Sequence, residues 1–424
     1  MGIKFSLARL PRVFVFLSIL TVWITQPIGG YLPGSIFGRV VLSDVFLLVA
    51  VLIYFLSKIP IRSTLLQTAF LTFICYSFIG VLYSSNPTLT VTESIALLFL
   101  FLGFTINIKL FSSEKDLLRL IYVFSICGLI ASIVGIYDFT ATIIGTPRVF
   151  NPPKEARTFY GLSGFRNSGQ AGAFILIILG VNIAILKSKI STLFSKTQRS
   201  FIVLSLIIGI VFLFLTVKIA AYIGFLALLA IYSIFKWNLS LIKITAVVTI
   251  IIVVGGVNLE TISPKFYNIL HYKMQTRVYD NVDKVSGESD DSEDGFMEHN
   301  ILGAVESFIE SPLVGSGFGG FQGNGGFEIH STYFKMLGEG GTIGVLLYII
   351  LMHLLFLKFR ARHYKNEFAS FLGHLYPIFI GFMVSWTYTY HLRKREFWIL
   401  VVIIFLVSEL AKRKQQNALL LKSL

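Results

Sequence analysis

Residues 310–348 read ESPLVGSGFGGFQGNGGFEIHSTYFKMLGEGGTIGVLLY, and they join three different kinds of sequence. A turn at Pro312 leads into a loop rich in glycine, a single histidine follows at position 330, and a long apolar run then begins. Glycine lacks a Cβ, so such a loop can adopt backbone shapes closed to other residues and approach a ligand closely. A titratable ring such as His330, at the water edge of a membrane segment, is a candidate functional residue.

Apolar runs continue on both sides of this stretch and decide the fold class. Of the 424 residues, 55% are hydrophobic and only 14% are charged, and the mean hydropathy is +0.78. The runs are continuous rather than alternating, so they predict helices and not a β-barrel. We therefore predict an all-α integral membrane protein with about twelve transmembrane helices. After a first span that begins near Val13, the predicted spans are 40–57, 64–83, 89–108, 117–144, 168–186, 200–217, 219–235, 241–257, 331–357, 371–390 and 396–411.

The distribution of lysine and arginine predicts the orientation in the membrane. With the N-terminus in the cytoplasm, most of the 36 Lys and Arg residues fall in cytoplasmic segments, as the positive-inside rule requires. Both termini are then cytoplasmic, and a large loop between spans nine and ten is extracytoplasmic. The predicted organisation is 1–257 with nine spans, 258–330 as the extracytoplasmic loop, and 331–424 with three spans and a cytoplasmic tail. This bias accounts for the formal charge of +14 without a nucleic-acid partner.

Several cations lie on the extracytoplasmic side against that bias. Such placement suggests an anionic ligand, and a lipid diphosphate fits. The alternative is that the span count is wrong by one and that the last group faces the cytoplasm. The cations are the cluster Arg148, Lys154, Arg157 and Arg166, the hairpin residue Lys218, and the triplet Arg393, Lys394 and Arg395.

The glycine loop and the histidine together resemble the signature of the O-antigen ligase/polymerase family. The members of this family are bacterial membrane glycosyltransferases. A second block, 161–186, resembles the entry into a central helix of that family. The family's hairpin arginine is replaced here by Lys218, and the nearest arginine before the glycine loop is Arg277. The residues that fill the signature are Pro312, Gly315, Gly317, Gly319, His330, Ser331, Tyr333, Glu339, Gly341 and Gly344, with Asn167 and Gly172 in the second block.

The resemblance implies a GT-C-like helical bundle in the bacterial cytoplasmic (inner) membrane, with its active site in the extracytoplasmic loop. The implied donor is an undecaprenyl-diphosphate-linked glycan, and the implied acceptor is a second glycan or lipid A-core. Membrane lipids and other polysaccharide-export components are the further partners expected. The family works without a metal or cofactor, and the sequence contains no metal-binding cluster.

The same resemblance suggests the site residues. His330 would accept the proton of the acceptor hydroxyl or orient it, because its ordinary pKa is close to neutrality. The diphosphate would be held by Arg166, Lys218 and Arg277, and then by Arg157 and Arg393.

Three functions stay open at this point. The departures at Lys218 and Arg277 from the ligase-like arginine sites favour a polymerase slightly over an O-antigen ligase. A multi-span transporter or glycolipid flippase is the alternative of another class. Transporters are usually built from two matching halves with a site at the midplane, and no half-to-half similarity is evident here.

Overall fold

The structure is a computed structural model, and it describes residues 10–28, 40–57, 63–150, 164–216, 218–236, 301–321 and 328–423. Within these ranges the chain forms helices and their connections, and no β-strand is present. We number the helices of the described ranges in chain order. They are α1 Leu10–Leu20, α2 Leu42–Leu56, α3 Leu65–Ile79, α4 Pro87–Leu110, α5 Glu114–Ile144, α6 Ser168–Lys187, α7 Lys196–Leu215, α8 Ile219–Lys236, α9 Gly303–Glu310, α10 Thr332–Gly338, α11 Gly341–Lys358, α12 Glu367–Ser385 and α13 Arg395–Ser423.

The lengths and compositions of these helices confirm a multi-span membrane protein. Among the described residues, seven helices are long and apolar enough to cross a bilayer, and three shorter apolar helices accompany them. The predicted spans from 64–83 to 200–217 coincide with α3 to α7. The predicted span 241–257 and residues 258–300 of the predicted loop lie outside the described residues. The count of twelve spans, the GT-C-like arrangement and the position of the large loop therefore stay predictions.

Two predicted boundaries are wrong, and both errors change the surroundings of His330. The predicted span 331–357 is broken into the short helix α10 and the spanning helix α11, because the backbone turns at Gly341 with a φ of +59°. The predicted span 371–390 ends at Ser385, where a loop of residues 386–394 begins. His330 consequently precedes a short helix that lies before the spanning segment.

Helix α6 is the centre of the bundle. It packs against α5, α7, α8 and α12, and 83% of its apolar window is buried. Small residues let transmembrane helices pack closely. At Gly172, a Cβ would lie 2.6 Å from the Cβ of Ala221 on α8. The close approach brings the start of α8 against the start of α6.

Candidate active site

The glycine loop folds into a compact turn over residues 311–321. Three alternating glycines adopt the left-handed backbone region that other L-residues avoid, with φ values of +68° at Gly315, +82° at Gly317 and +84° at Gly319. The Gly317 N–H donates a 3.0 Å hydrogen bond to the Glu339 carbonyl oxygen, at the break between α10 and α11. The alternating glycine pattern therefore shapes the backbone of this turn and docks it on the break.

Glu339, the acidic residue of the signature, is buried beneath the glycine turn of residues 311–321 and holds it in place by a hydrogen bond. Its carboxylate accepts a 2.6 Å hydrogen bond from the Gly319 N–H and a 3.0 Å hydrogen bond from the ammonium group of Lys335. The Glu339 and Lys335 side chains are both fully buried. A buried charge is tolerated when it is paired and hydrogen-bonded, so both side chains have a structural reason for their positions.

His330 lies in the short connection that leads into α10. We call residues 328–332 the histidine segment. Ile329 and Ser331 on either side are buried, whereas the His330 side chain is exposed. The Thr332 N–H donates a 2.9 Å hydrogen bond to the Trp386 carbonyl oxygen, and the Thr332 hydroxyl donates a 2.7 Å bond to the Thr389 carbonyl oxygen. The histidine segment is thus attached to the loop 386–394 between α12 and α13.

Arg393 in that loop completes a continuous series of ion pairs. Its guanidinium contacts Glu93, a buried carboxylate on the membrane helix α4, and lies 2.9 Å from the Glu328 carboxylate. Glu328 in turn lies 3.5 Å from the Lys335 ammonium group, which also binds Glu339. We call these five residues, Glu93, Arg393, Glu328, Lys335 and Glu339, the ion-pair chain. It links a membrane helix, the histidine segment and the glycine turn.

Two members of the ion-pair chain, Glu328 and Lys335, are held in their charged forms by their neighbours. Burial opposes the charge of Glu328, but Arg393 and Lys335 outweigh burial and hold the pKa of Glu328 well below its usual range. Burial also opposes the charge of Lys335, but Glu339 and Glu328 outweigh it and hold the pKa of Lys335 above its usual value. Glu328 is therefore a carboxylate at neutral pH, two positions from His330.

The electrostatic surroundings keep His330 neutral. Although the side chain is accessible to solvent, the protein atoms around the ring reduce its hydration, and this desolvation lowers the pKa of His330 below the usual value of 6.5; Glu328 acts in the opposite direction. The positive charges of Lys335, Lys218 and Arg393 add to the lowering. A neutral imidazole has a nitrogen that can accept a proton, which is the state a general base requires.

Lys218 lies in the short connection between α7 and α8, beside the N-terminus of α6. A Cβ on Gly169, in the first turn of α6, would lie 3.6 Å from Lys218 Cε. The start of α8 also approaches the end of α12, since a Cβ on Gly224 would lie 3.0 Å from Ser385 Cβ. Lys218 is therefore close to the loop that holds the histidine segment, in agreement with its effect on the pKa of His330.

Arg166 lies at the same end of α6. It precedes Asn167, whose side chain accepts a 2.8 Å hydrogen bond from the Gln170 N–H and so caps the helix. The Arg166 N–H donates a 2.8 Å bond to the Thr25 hydroxyl, and its side chain is partly exposed. A helix N-terminus carries partial positive charge and exposed N–H groups, so it adds to the attraction of an anion.

Lys394 is a further cation that the sequence analysis did not assign to the site as an individual residue. Burial and then the charges of Lys218 and Arg393 lower its pKa to about 8, against the opposing effect of Glu396. Lys218, Lys394 and the α6 N-terminus therefore form a positive region next to His330. Two of the predicted phosphate-binding residues, Arg157 and Arg277, lie outside the described residues.

Sequence reasoning missed two of the three carboxylates of the ion-pair chain, Glu93 and Glu328. Glu93 lies inside the predicted span 89–108, and a carboxylate within an apolar span is a functional or pairing residue by default. That signal was present and was overlooked. Glu328 gave no comparable signal, because an acidic residue in a polar loop is ordinary. Its importance arises from Arg393, which is 65 positions away in the chain.

The described residues contain no group of three His, Cys, Asp or Glu side chains that could hold a metal ion. The metal-independent reaction stays a prediction.

A comparison with protein families finds a match to the O-antigen ligase model over residues 204–349. The matched region contains Lys218, Arg277, the glycine turn, His330 and Glu339, whereas Glu93 and Arg393 lie on either side of it. The match confirms the resemblance seen in the sequence. In a comparison with curated proteins, none matched this chain.

Proposed function

On the premise that the chain belongs to the O-antigen ligase/polymerase family of membrane glycosyltransferases, we propose that it acts on an undecaprenyl-diphosphate-linked glycan. The observation that carries the proposal is the position of His330. Its exposed side chain adjoins the positive region of Lys218, Lys394 and the α6 N-terminus, inside or beside the matched domain. A proton acceptor next to an anion-binding region is what the transfer of a glycan from a diphosphate requires.

The proposed reaction is a displacement at the first carbon of the donor sugar. The acceptor hydroxyl oxygen forms a bond to this carbon, the bond from the carbon to the diphosphate oxygen breaks, and the diphosphate leaves with the electron pair. His330 takes the proton from the acceptor hydroxyl. Lys218, Arg166 and Lys394 neutralise the charge that develops on the leaving group, with Arg277 and Arg157 as further candidates.

Arg393 receives a different role in this proposal from the one the sequence suggested. Its guanidinium is already bound by Glu93 and Glu328. We assign it to holding the histidine segment against α4 rather than to holding phosphate. Accurate placement of a catalytic group contributes strongly to rate, so a rigid support for His330 is functionally useful.

Polymerisation of repeat units is the form of transfer that we favour slightly. The reason is that Lys218 replaces the family's hairpin arginine with a point charge and so departs from the ligase-like sites. Ligation of the finished glycan to lipid A-core is the alternative. We further propose an inner-membrane location with both termini in the cytoplasm and the site on the extracytoplasmic side, because the Lys and Arg distribution favours that orientation.

The test compares surface glycans from a host strain that lacks the gene after complementation with the wild-type chain, His330→Ala or His353→Ala. His353 is an exposed histidine on α11 and serves as the matched control. General-base catalysis contributes about 10²- to 10⁴-fold, so His330→Ala should abolish the long glycans whereas His353→Ala should restore them.

The pattern of glycans in the deletion strain separates the reactions. Core that carries a single repeat unit indicates a polymerase, and bare core with long chains on the carrier lipid indicates a ligase. Full restoration by His330→Ala would contradict the proposed mechanism. Unchanged glycans in the deletion strain would overturn the glycosyltransferase and favour the transporter.

A further inference from the structure

A groove of about 630 Å³ lies along the first half of α7, on the outside of the bundle. Polar residues line one end of this groove, and aliphatic residues form its floor toward the other end. We call it the α7 groove. Its lining residues are Leu186, Ser191, Lys196, Arg199, Ser200, Val203, Leu204 and Ile207.

The polar end of the α7 groove carries two cations. In the described part of the chain, no carboxylate forms an ion pair with Lys196 or Arg199. The Nε atom of Arg199 is shielded from solvent and has no hydrogen-bond partner among the described residues. The hydroxyls of Ser191 and Ser200 lie on the same lining, but each already donates to a backbone carbonyl oxygen, that of Ser188 and that of Lys196. The two cations are therefore the groups that match an anionic oxygen group such as a phosphate.

The floor of the groove is apolar and open. Val203, Leu204 and Ile207 are 40%, 41% and 55% exposed, on a membrane helix of which only 28% of the apolar window is buried. From Lys196 to Ile207 the helix rises about 16 Å, at 1.5 Å per residue. This rise is about half of the 30 Å hydrocarbon thickness of a bilayer. The groove as a whole, from Lys196 to Ile207, is therefore about as long as one leaflet is thick, with the cations at its headgroup end.

The α7 groove is separate from the candidate active site. Lys196 begins α7, and Lys218 follows its end, so the 20-residue helix places the two lysines about 30 Å apart. Lys218 is the residue that lies close to the histidine segment. The groove consequently opens at the other end of the bundle, where the donor diphosphate of the proposed reaction does not reach.

We propose that the α7 groove binds an anionic phospholipid. Lys196 and Arg199 hold the phosphate of the headgroup, and one acyl chain lies on Val203, Leu204 and Ile207. The two components of the groove follow one another in the same order as the two parts of such a lipid. Neither a soluble anion nor an uncharged lipid uses both components.

The experiment measures lipid preference with the full-length Ile207→Trp chain in vesicles, where the new indole reports contact with lipid tails. The vesicles contain either phosphatidylglycerol or phosphatidylcholine with brominated tails, which quench tryptophan fluorescence on contact. Quenching in the parent chain is measured in the same vesicles, so that the contribution of the new tryptophan can be separated. Brominated phosphatidylglycerol should quench the new tryptophan at a lower mole fraction than brominated phosphatidylcholine. In the Lys196→Gln/Arg199→Gln double variant this preference should fall by about fivefold for each cation removed.

The matched control is Lys187→Gln/Lys189→Gln. These lysines are exposed and lie at the same end of the bundle, but they do not line the groove, so the preference should persist. Equal quenching by both lipids, or an equal loss of preference in the two double variants, would overturn the proposal. Abolition of the preference by millimolar inorganic phosphate would assign the cations to a free anion and would also overturn it.

Discussion

Arg393 and Lys218 are both cations that the sequence suggested for diphosphate binding, but their surroundings differ. Arg393 contacts two carboxylates, Glu93 and Glu328, and belongs to the ion-pair chain. Lys218, between α7 and α8, packs against the first turn of α6. Its charge lowers the pKa of both His330 and Lys394. The first cation is neutralised within the protein and makes it rigid. The second adds to a positive region, which favours the arrival of an anion.

The difference teaches that the charge of a residue in a loop between membrane helices does not by itself predict a ligand contact. What matters is which groups the fold places around it. Around Arg393 these include a carboxylate from α4 that precedes it by 300 positions. Three measurements can break or sharpen this comparison.

Replacement of Arg393 by alanine should have the largest effect, and it should act on stability. The substitution removes the guanidinium that Glu93 and Glu328 share, and breaking a buried ion pair costs about 3 kcal/mol, at the low end of the usual range because Arg393 is partly exposed. Thermal unfolding of the purified chain in detergent measures the loss. Arg395→Ala is the matched control, since Arg395 pairs with the single carboxylate of Asp44, and its loss should be smaller.

A further substitution tests the cause. In the Arg393→Ala background, Glu328→Gln removes one of the two negative charges that lost the guanidinium and should restore part of the stability. If Glu328→Gln instead lowers stability further, the negative charge left at Glu328 is not the reason for the loss.

Replacement of Lys218 by alanine should have the next largest effect, and it should act on activity while stability changes little. A hydrogen bond to a charged group contributes about 1.5–3 kcal/mol. Its removal corresponds to roughly a 10- to 100-fold lower rate of transfer from the lipid-linked donor. Glycan transfer from the lipid-linked donor measures it. Lys218→Arg keeps the charge and should retain most activity, and Lys189→Ala at the other end of the bundle should be neutral. Normal transfer by Lys218→Ala would remove this lysine from the diphosphate site.

Replacement of Glu328 by glutamine should have the smallest effect, a shift in the pH dependence of transfer. In the proposed mechanism activity requires neutral His330, so it should fall as the pH decreases through the pKa of His330. The negative charge of Glu328 raises that pKa, and the substitution therefore lowers it. The acid limb of the pH profile should move to lower pH. A shift to higher pH, or none, would show that Glu328 does not act on His330 electrostatically.

The membrane helices α3 to α7 could be predicted from apolar runs because each run is long enough to span a bilayer on its own. The start of α11 could not be predicted, since the break at Gly341 depends on contact with the glycine turn: a Cβ there would lie 2.5 Å from the Gly315 nitrogen. A hydropathy pattern contains no information on such a contact.

The candidate site shows the same limit. His330, Lys218 and Arg166 could be singled out from a short sequence signature and from charge placed against the topological bias. The pairing of Arg393 with Glu93 and Glu328 could not be predicted, because the three residues meet only through the packing of α4 against the histidine segment and the last loop. Local patterns identified residue types that suit the chemistry, and long-range packing decided which of them are neutralised.

The span of the ion-pair chain has a consequence for biosynthesis. Glu93 enters the membrane early in translation, whereas Arg393 is made 300 residues later. Until Arg393 arrives, the carboxylate of Glu93 lacks the guanidinium that it contacts in the finished protein, and closing so long a segment costs entropy that local contacts do not recover. The support of the histidine segment is therefore completed only after nearly the whole polypeptide has been inserted. A chain released before its last loop would contain the matched domain and His330 but not the arginine that holds them against α4.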